Sequence, residues 1–187
     1  HNANNDFHKQ YDENHGNKDL HIWLSPQNML IMAKTIAKTL SEIDPRNSLM
    51  YQSNLDQFTA RLIKTTQNIE TELASIKTQP YVVFHNSWQY FLQQFKLQKP
   101  TIVGFHEELS AGIKSIKATR NEIVSKNIHC VFSDASIKAV RVDVLIEGLN
   151  VKTENIDILG LGLPLDKNSS INLLKDMGQK INNCLSQ

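Results

Sequence analysis

Apolar positions follow two rhythms along this chain: a helical one up to about residue 77, and an alternation of short apolar runs with helical stretches from residue 80 onward. Ser25-Pro26 supplies an N-cap and a first-turn proline, and Met29, Ala33, Ile36, Ala37 and Leu40 then mark one face of a helix. Asp19 to Leu24, just before it, reads as a short extended piece. Asp44-Pro45 repeats the start signal, and no Gly or Pro interrupts the chain from there to Lys77. Leu55, Phe58, Leu62, Ile69, Leu73 and Ile76 mark one face of that stretch, which predicts a helical rod of roughly 50 Å at 1.5 Å per residue. A coiled coil is disfavoured, because polar residues such as Thr65 fill intervening positions.

Beyond Pro80 the pattern predicts strands at Tyr81–Phe84, Thr101–Val103, His129–Ser133 and around Asn155–Ile156. Helices are predicted over Ser87–Phe95, Ser110–Lys126, Lys138–Leu149 and Ser170–Cys184. Ile113, Ile116, Ala118 and Ile123 should face inward on the second of these, and Ile171, Leu174, Met177 and Ile181 on the last. Strands alternating with helices imply an α/β lobe with a four-stranded parallel sheet covered on both faces.

Composition changes the picture in several ways. With 187 residues and 40% hydrophobic content, the chain can bury a core. A net charge of +1 gives no field to hold nucleic acid or an anionic membrane surface. No apolar run approaches the roughly 20 residues that span a bilayer, and the start His1-Asn2-Ala3 carries neither methionine nor a signal core, so the chain looks cut from something longer. Residues 1–18 are polar, with His1, His8 and His15 seven apart, and are expected to form a solvated loop with weak metal-binding capacity. Cys130 and Cys184 are too few for a thiolate zinc site; one disulfide or two buried thiols remain open.

In open α/β sheets ligands gather beyond the carboxyl ends of the strands. His85, Asp134 and Asp157 fall at three such ends, and His21 adds a fourth donor once its stretch folds against the same edge. Imidazoles with a carboxylate form a donor set for a borderline ion such as Zn2+, and more carboxylate character shifts preference toward Mn2+. Trp23 and Trp88 read as packing residues. His106-Glu107-Glu108 reads as a loop able to guard the entrance, and His129 as structural or exposed.

The runs Asp19-Leu20-His21-Ile22-Trp23-Leu24-Ser25-Pro26, Asp44-Pro45 with Tyr51 and Asn54, Val83-Phe84-His85 with Tyr90-Phe91, and Ile156-Asp157-Ile158-Leu159-Gly160 resemble the metal-binding solute-binding proteins of ABC transporters, zinc branch. The resemblance covers nearly the whole chain from Asp19 onward. It implies two lobes joined by one long helix, with the ion held in the cleft between them by His21, His85 and Asp157. His1, His8, His15 and Asp134 would be accessory or supporting groups. It divides the chain into a polar His-bearing loop (1–18), a remnant of the amino-terminal lobe (19–44), a connecting helix (45–79) and the carboxy-terminal α/β lobe (80–187). The first family histidine would lie in an amino-terminal lobe largely absent here.

The same resemblance implies a Cys130–Cys184 disulfide, a periplasmic location, a membrane permease as partner, and no enzymatic activity. The full-length protein would be a monomer. A fragment would bind metal more weakly and expose an apolar face through which to dimerise. Leu20 stands where members carry proline, and Asp134-Ala135 where they carry Glu-Pro. A zinc hydrolase is disfavoured, because no His-Glu-x-x-His cluster supplies a base. A manganese- or iron-binding member of the same family is the first alternative, and a metal-free adhesin is a further one.

Overall fold

Local capping chemistry sets the first half of the fold. The computed structural model describes residues 19–103 and 113–186; the loop 1–18 with His1, His8 and His15, and the stretch His106-Glu107-Glu108, lie outside them. Ser25 caps helix α1 (Pro26–Ile43) as predicted, its hydroxyl accepting from the Asn28 amide at 3.2 Å. Before it, Ile22–Leu24 is a 3-10 turn and not an extended piece. The reason is Asp19: its carboxylate accepts the His21 amide at 2.9 Å and curls the chain, after which Leu24 and Ser25 bond back to His21 and Ile22.

A 3-10 turn at Pro45–Asn47 leads into α2 (Ser48–Glu72), 25 residues and so about 37 Å long, shorter than the expected rod. Past Ile69 the bonds tighten to three-residue spacing, Ala74 to Thr71 and Ile76 to Leu73. Leu73 and Ile76, three apart, are both buried, and the tighter winding turns both inward. Thr65 is buried on the same face as Leu62 and Ile69 despite its hydroxyl.

The second half is the expected four-stranded sheet: β1 (Val82–Val83), β2 (Thr101–Ile102), β3 (Cys130–Asp134) and β4 (Lys152–Ile156), all parallel in the order β2-β1-β3-β4. The helices between and after them are α3 (Gln89–Phe95), α4 (Ile113–Ser125), α5 (Ala139–Ile146) and α6 (Ser169–Leu185). Alternate strand side chains feed two cores. Val83, Phe132 and Ile156 meet α2, α3 and α6, whereas Val82, Phe84 and Val131 meet α4 and α5. On α6 the four predicted residues are all buried. On α4, Thr119 and Ile123 turn inward while Ala118 is exposed, because the 3.6-residue period carries the stripe from Ile116 past position 118.

A disulfide joins Cys130 on β3 to Cys184 on α6, with Cα atoms 5.8 Å apart, and staples the last helix to an inner strand. At the other end, α1 and the first half of α2 leave an apolar groove of about 430 Å3, lined by Met29, Met32, Leu40, Leu55 and Phe58. Ile36, expected inside, is 58% exposed at its rim. Among the described residues no helix is long and apolar enough to cross a membrane.

Candidate metal centre

Strand register brings the first two site residues together. Val83 pairs with Phe132 across β1 and β3, and two residues further along each strand stand His85 and Asp134. The His85 Nδ1 accordingly lies 3.2 Å from Asp134 Oδ2. Asp134 is buried and also accepts from the Ser136 amide at 2.8 Å and from the Ser136 hydroxyl. Burial pushes its pKa up, but the bonds from His85 and Ser136 outweigh that and hold the carboxyl below its ordinary range.

His21 arrives from the other side of the sequence. Its ring centroid lies 5.4 Å from that of His85, at an interplanar angle of 73°. Like His85, it has a carboxylate on Nδ1: Asp19 Oδ1, at 2.7 Å. Two long-range bonds seat this strap on the α/β lobe. The Tyr90 hydroxyl on α3 donates to the Asp19 carbonyl at 3.0 Å, and the Trp23 indole donates to the Ile158 carbonyl at 2.8 Å. Trp23, expected only to pack, is thus a tether; Trp88 does pack, edge-on against Phe132 with centroids 5.2 Å apart.

Asp157 follows β4 at the same sheet edge, one residue past the Asp134–Ile156 pair. Its oxygens accept from the amides of Gly162 (2.8 Å) and Leu159 (3.2 Å), closing the loop in which Gly160 takes φ +71°. Burial raises its pKa, yet the amides of Gly162, Leu161, Leu159 and Gly160 together hold it low, so the carboxylate stays charged. Among the described residues no three His, Cys, Asp or Glu side chains gather as a metal cluster: the two histidines come together, and Asp157 does not complete a trio with them. His129, at the opposite end of β3, takes no part.

Three oxygens near the histidines in sequence are left without partners among the described residues: Asp19 Oδ2, Asn86 Oδ1 and Ser87 Oγ, all of them buried. The imidazole spacing fits zinc: with Zn–N bonds of about 2.0 Å, two rings on one tetrahedral zinc place their centroids roughly 5 Å apart. Sequence reasoning did not find Asp19; the signal available was its place two residues before His21, where a carboxylate reaches both the amide and the ring.

The sequence matches the family described as zinc-uptake complex component A, periplasmic, over residues 2–184. The high-affinity zinc uptake system protein ZnuA of Brucella suis is 32% identical over 172 residues, covering 92% of this chain and 52% of that protein. The ZnuA of Buchnera aphidicola is 30% identical over 169 residues, covering 90% of this chain and 53% of its own length. The chain thus spans about half the length of the curated relatives it matches. A crystal structure of ZnuA superposes with a TM-score of 0.76 at 29% identity, over 90% of this chain and 60% of that one. A ZnuA deletion mutant with zinc bound superposes with a TM-score of 0.74 at the same identity, over 90% of this chain and 62% of that one. This chain belongs to the periplasmic zinc-uptake component A family.

Proposed function

We propose that this chain is the ion-holding part of a periplasmic zinc-capture protein that delivers Zn2+ to the permease of an ABC importer. The observation that carries the reading is the pair His21 and His85, drawn from distant parts of the chain to 5.4 Å between ring centroids, each with a carboxylate behind it. Zinc is cargo here. Two imidazoles and a carboxylate bind it as a borderline ion, and a protein that must release its ion has no use for a general base beside it.

In this reading Asp157 is the carboxylate donor, turning from its loop amides toward the imidazoles. The Trp23–Ile158 bond, which ties the His21 strap to the residue next to Asp157, supports their working as one unit. Asp134 supports His85. Residues 45–79 would join the lobe 80–187 to a second lobe that supplies the remaining wall of the cleft. The Cys130–Cys184 disulfide and the family description support a periplasmic setting, since disulfides persist in oxidising compartments.

Calorimetric titration of the protein with zinc and with manganese, beside His21→Ala, His85→Ala and Asp157→Ala, tests the proposal. Zinc should bind more tightly than manganese, and each histidine substitution should weaken it at least tenfold. Unchanged zinc affinity in both histidine variants refutes the site, and tighter manganese binding refutes the choice of ion.

A further inference from the structure

We infer that Asp19 is a positioning residue for the bound ion, working with Asp134 as a matched pair of carboxylates that hold the protons of His21 and His85 on Nδ1 and so assign coordination to Nε2 of both rings. The inference rests on the proposed zinc site and specifies how its two imidazoles are prepared.

Asp19 is built into this place in a way that a turn-forming aspartate does not require. Its Oδ1 accepts from the His21 amide at 2.9 Å and faces the His21 ring nitrogen at 2.7 Å, so one oxygen fixes both the backbone and the ring of the same residue. The side chain is only 9% exposed, and its Oδ2 is buried with no partner among the described residues. A buried carboxylate with an unsatisfied oxygen is costly to fold. The cost is offset when positive charge develops next to it, which is what a cation on Nε2 does to the imidazole held against Oδ1. The Tyr90 hydroxyl on the Asp19 carbonyl adds a second anchor, from the same segment that carries His85.

Asp134 repeats the device by another route. It is placed by strand register and steadied by Ser136, and its Oδ2 faces His85 Nδ1 at 3.2 Å. A histidine whose Nδ1–H is held by a carboxylate coordinates through the other nitrogen, with the ring orientation fixed and its basicity raised. Neither carboxylate needs to touch the ion. A strand end and a turn unrelated in sequence converge on one chemical arrangement, which sets both donors before the ion arrives.

The test combines a spectroscopic and a binding readout on wild type, Asp19→Ala and Asp19→Asn. Long-range 1H–15N spectra of the metal-free protein, taken where the imidazoles are neutral, should show Nδ1–H on both His21 and His85. Asp19→Ala should move His21 toward the Nε2–H form that unrestrained histidine prefers, and weaken zinc binding on the order of 10- to 100-fold. Asp19→Asn keeps an acceptor, because the His21 amide still requires an oxygen there; it should retain the Nδ1–H form and recover part of the affinity. Circular dichroism should be the same in all three. Zinc-binding wild type with Asp19→Ala unchanged in tautomer and affinity overturns the positioning role alone. Wild type that takes up no zinc overturns the proposed function together with it.

Discussion

The indole Nε1–H of Trp23 donates to the carbonyl oxygen of Ile158 at 2.8 Å, across 135 residues of sequence. Trp23 follows His21 by two residues and Ile158 follows Asp157 by one, so this bond closes the distance between the two ends of the proposed site. Trp23→Phe keeps an aromatic ring but removes the donor together with part of the indole's packing volume against the core. It should cost at least about 1 kcal/mol of stability, the usual worth of one such bond before the lost packing is added, and weaken zinc binding with His21 still present. Chemical denaturation and calorimetry read the two effects separately; zinc affinity equal to wild type would mean the tether serves folding only.

Reduction should be felt by the whole lobe. The disulfide closes a loop of 54 residues between β3 and α6, worth about 4 kcal/mol by loop entropy. Cys130→Ala with Cys184→Ala, or dithiothreitol on the wild type, should lower the unfolding midpoint while leaving the histidine pair in place. Coincident denaturation curves with and without reductant would contradict this.

The packing of α6 on α2 leaves little room at Gly178. A Cβ there would stand 3.2 Å from both Cγ1 and Cγ2 of buried Ile69. Gly178→Leu should therefore destabilise by roughly 1–3 kcal/mol, despite leucine's better helix propensity. A stability equal to or above wild type would show that the two helices separate without cost.

Asp44 and Tyr51 bracket a pH window at the corner between α1 and α2. The Tyr51 hydroxyl donates to Asp44 Oδ2 at 2.9 Å, and Asn47 Nδ2 donates to the same oxygen at 2.7 Å. The Asn47 bond, then the Tyr51 bond, lowers the Asp44 pKa from its ordinary 3.8, while the Asp44 bond raises that of Tyr51 above 10.0. The Asp44 contribution is therefore fully present above pH 3.8 and lost as pH falls through the lowered folded value. The Tyr51 contribution is present below pH 10.0 and lost as pH rises through the raised one. Tyr51→Phe should move the Asp44 carboxyl part of the way back up, with Asn47 retaining the rest. A 13C carboxyl titration that finds it unmoved would rule out the pairing.

Much of this fold was legible without coordinates, where local chemistry and period decide. The Ser25 cap, the four buried positions of α6 and the parallel strands all follow from spacing and turn residues. Where two local rules compete the pattern misled: Asp19 curls a segment that reads as extended, and tighter winding after Ile69 shortens the long helix. Thr65 is buried although its side chain is polar, because its position on the helix face outweighs one hydroxyl.

The sequence by itself determined where side chains of metal-binding type fall relative to the strand ends: His85, Asp134 and Asp157 along one sheet edge, with His21 before a helix. Only the tertiary structure decided which of them meet. The pairing of His85 with Asp134 depends on strand register, and the approach of His21 on a hydroxyl and an indole reaching backbone carbonyls 71 and 135 residues away. Such contacts leave no periodic trace, because a side chain that bonds a backbone carbonyl reads the partner's position in space and not its identity. That is why Asp19, the carboxylate behind His21, came to light only once the chain was folded.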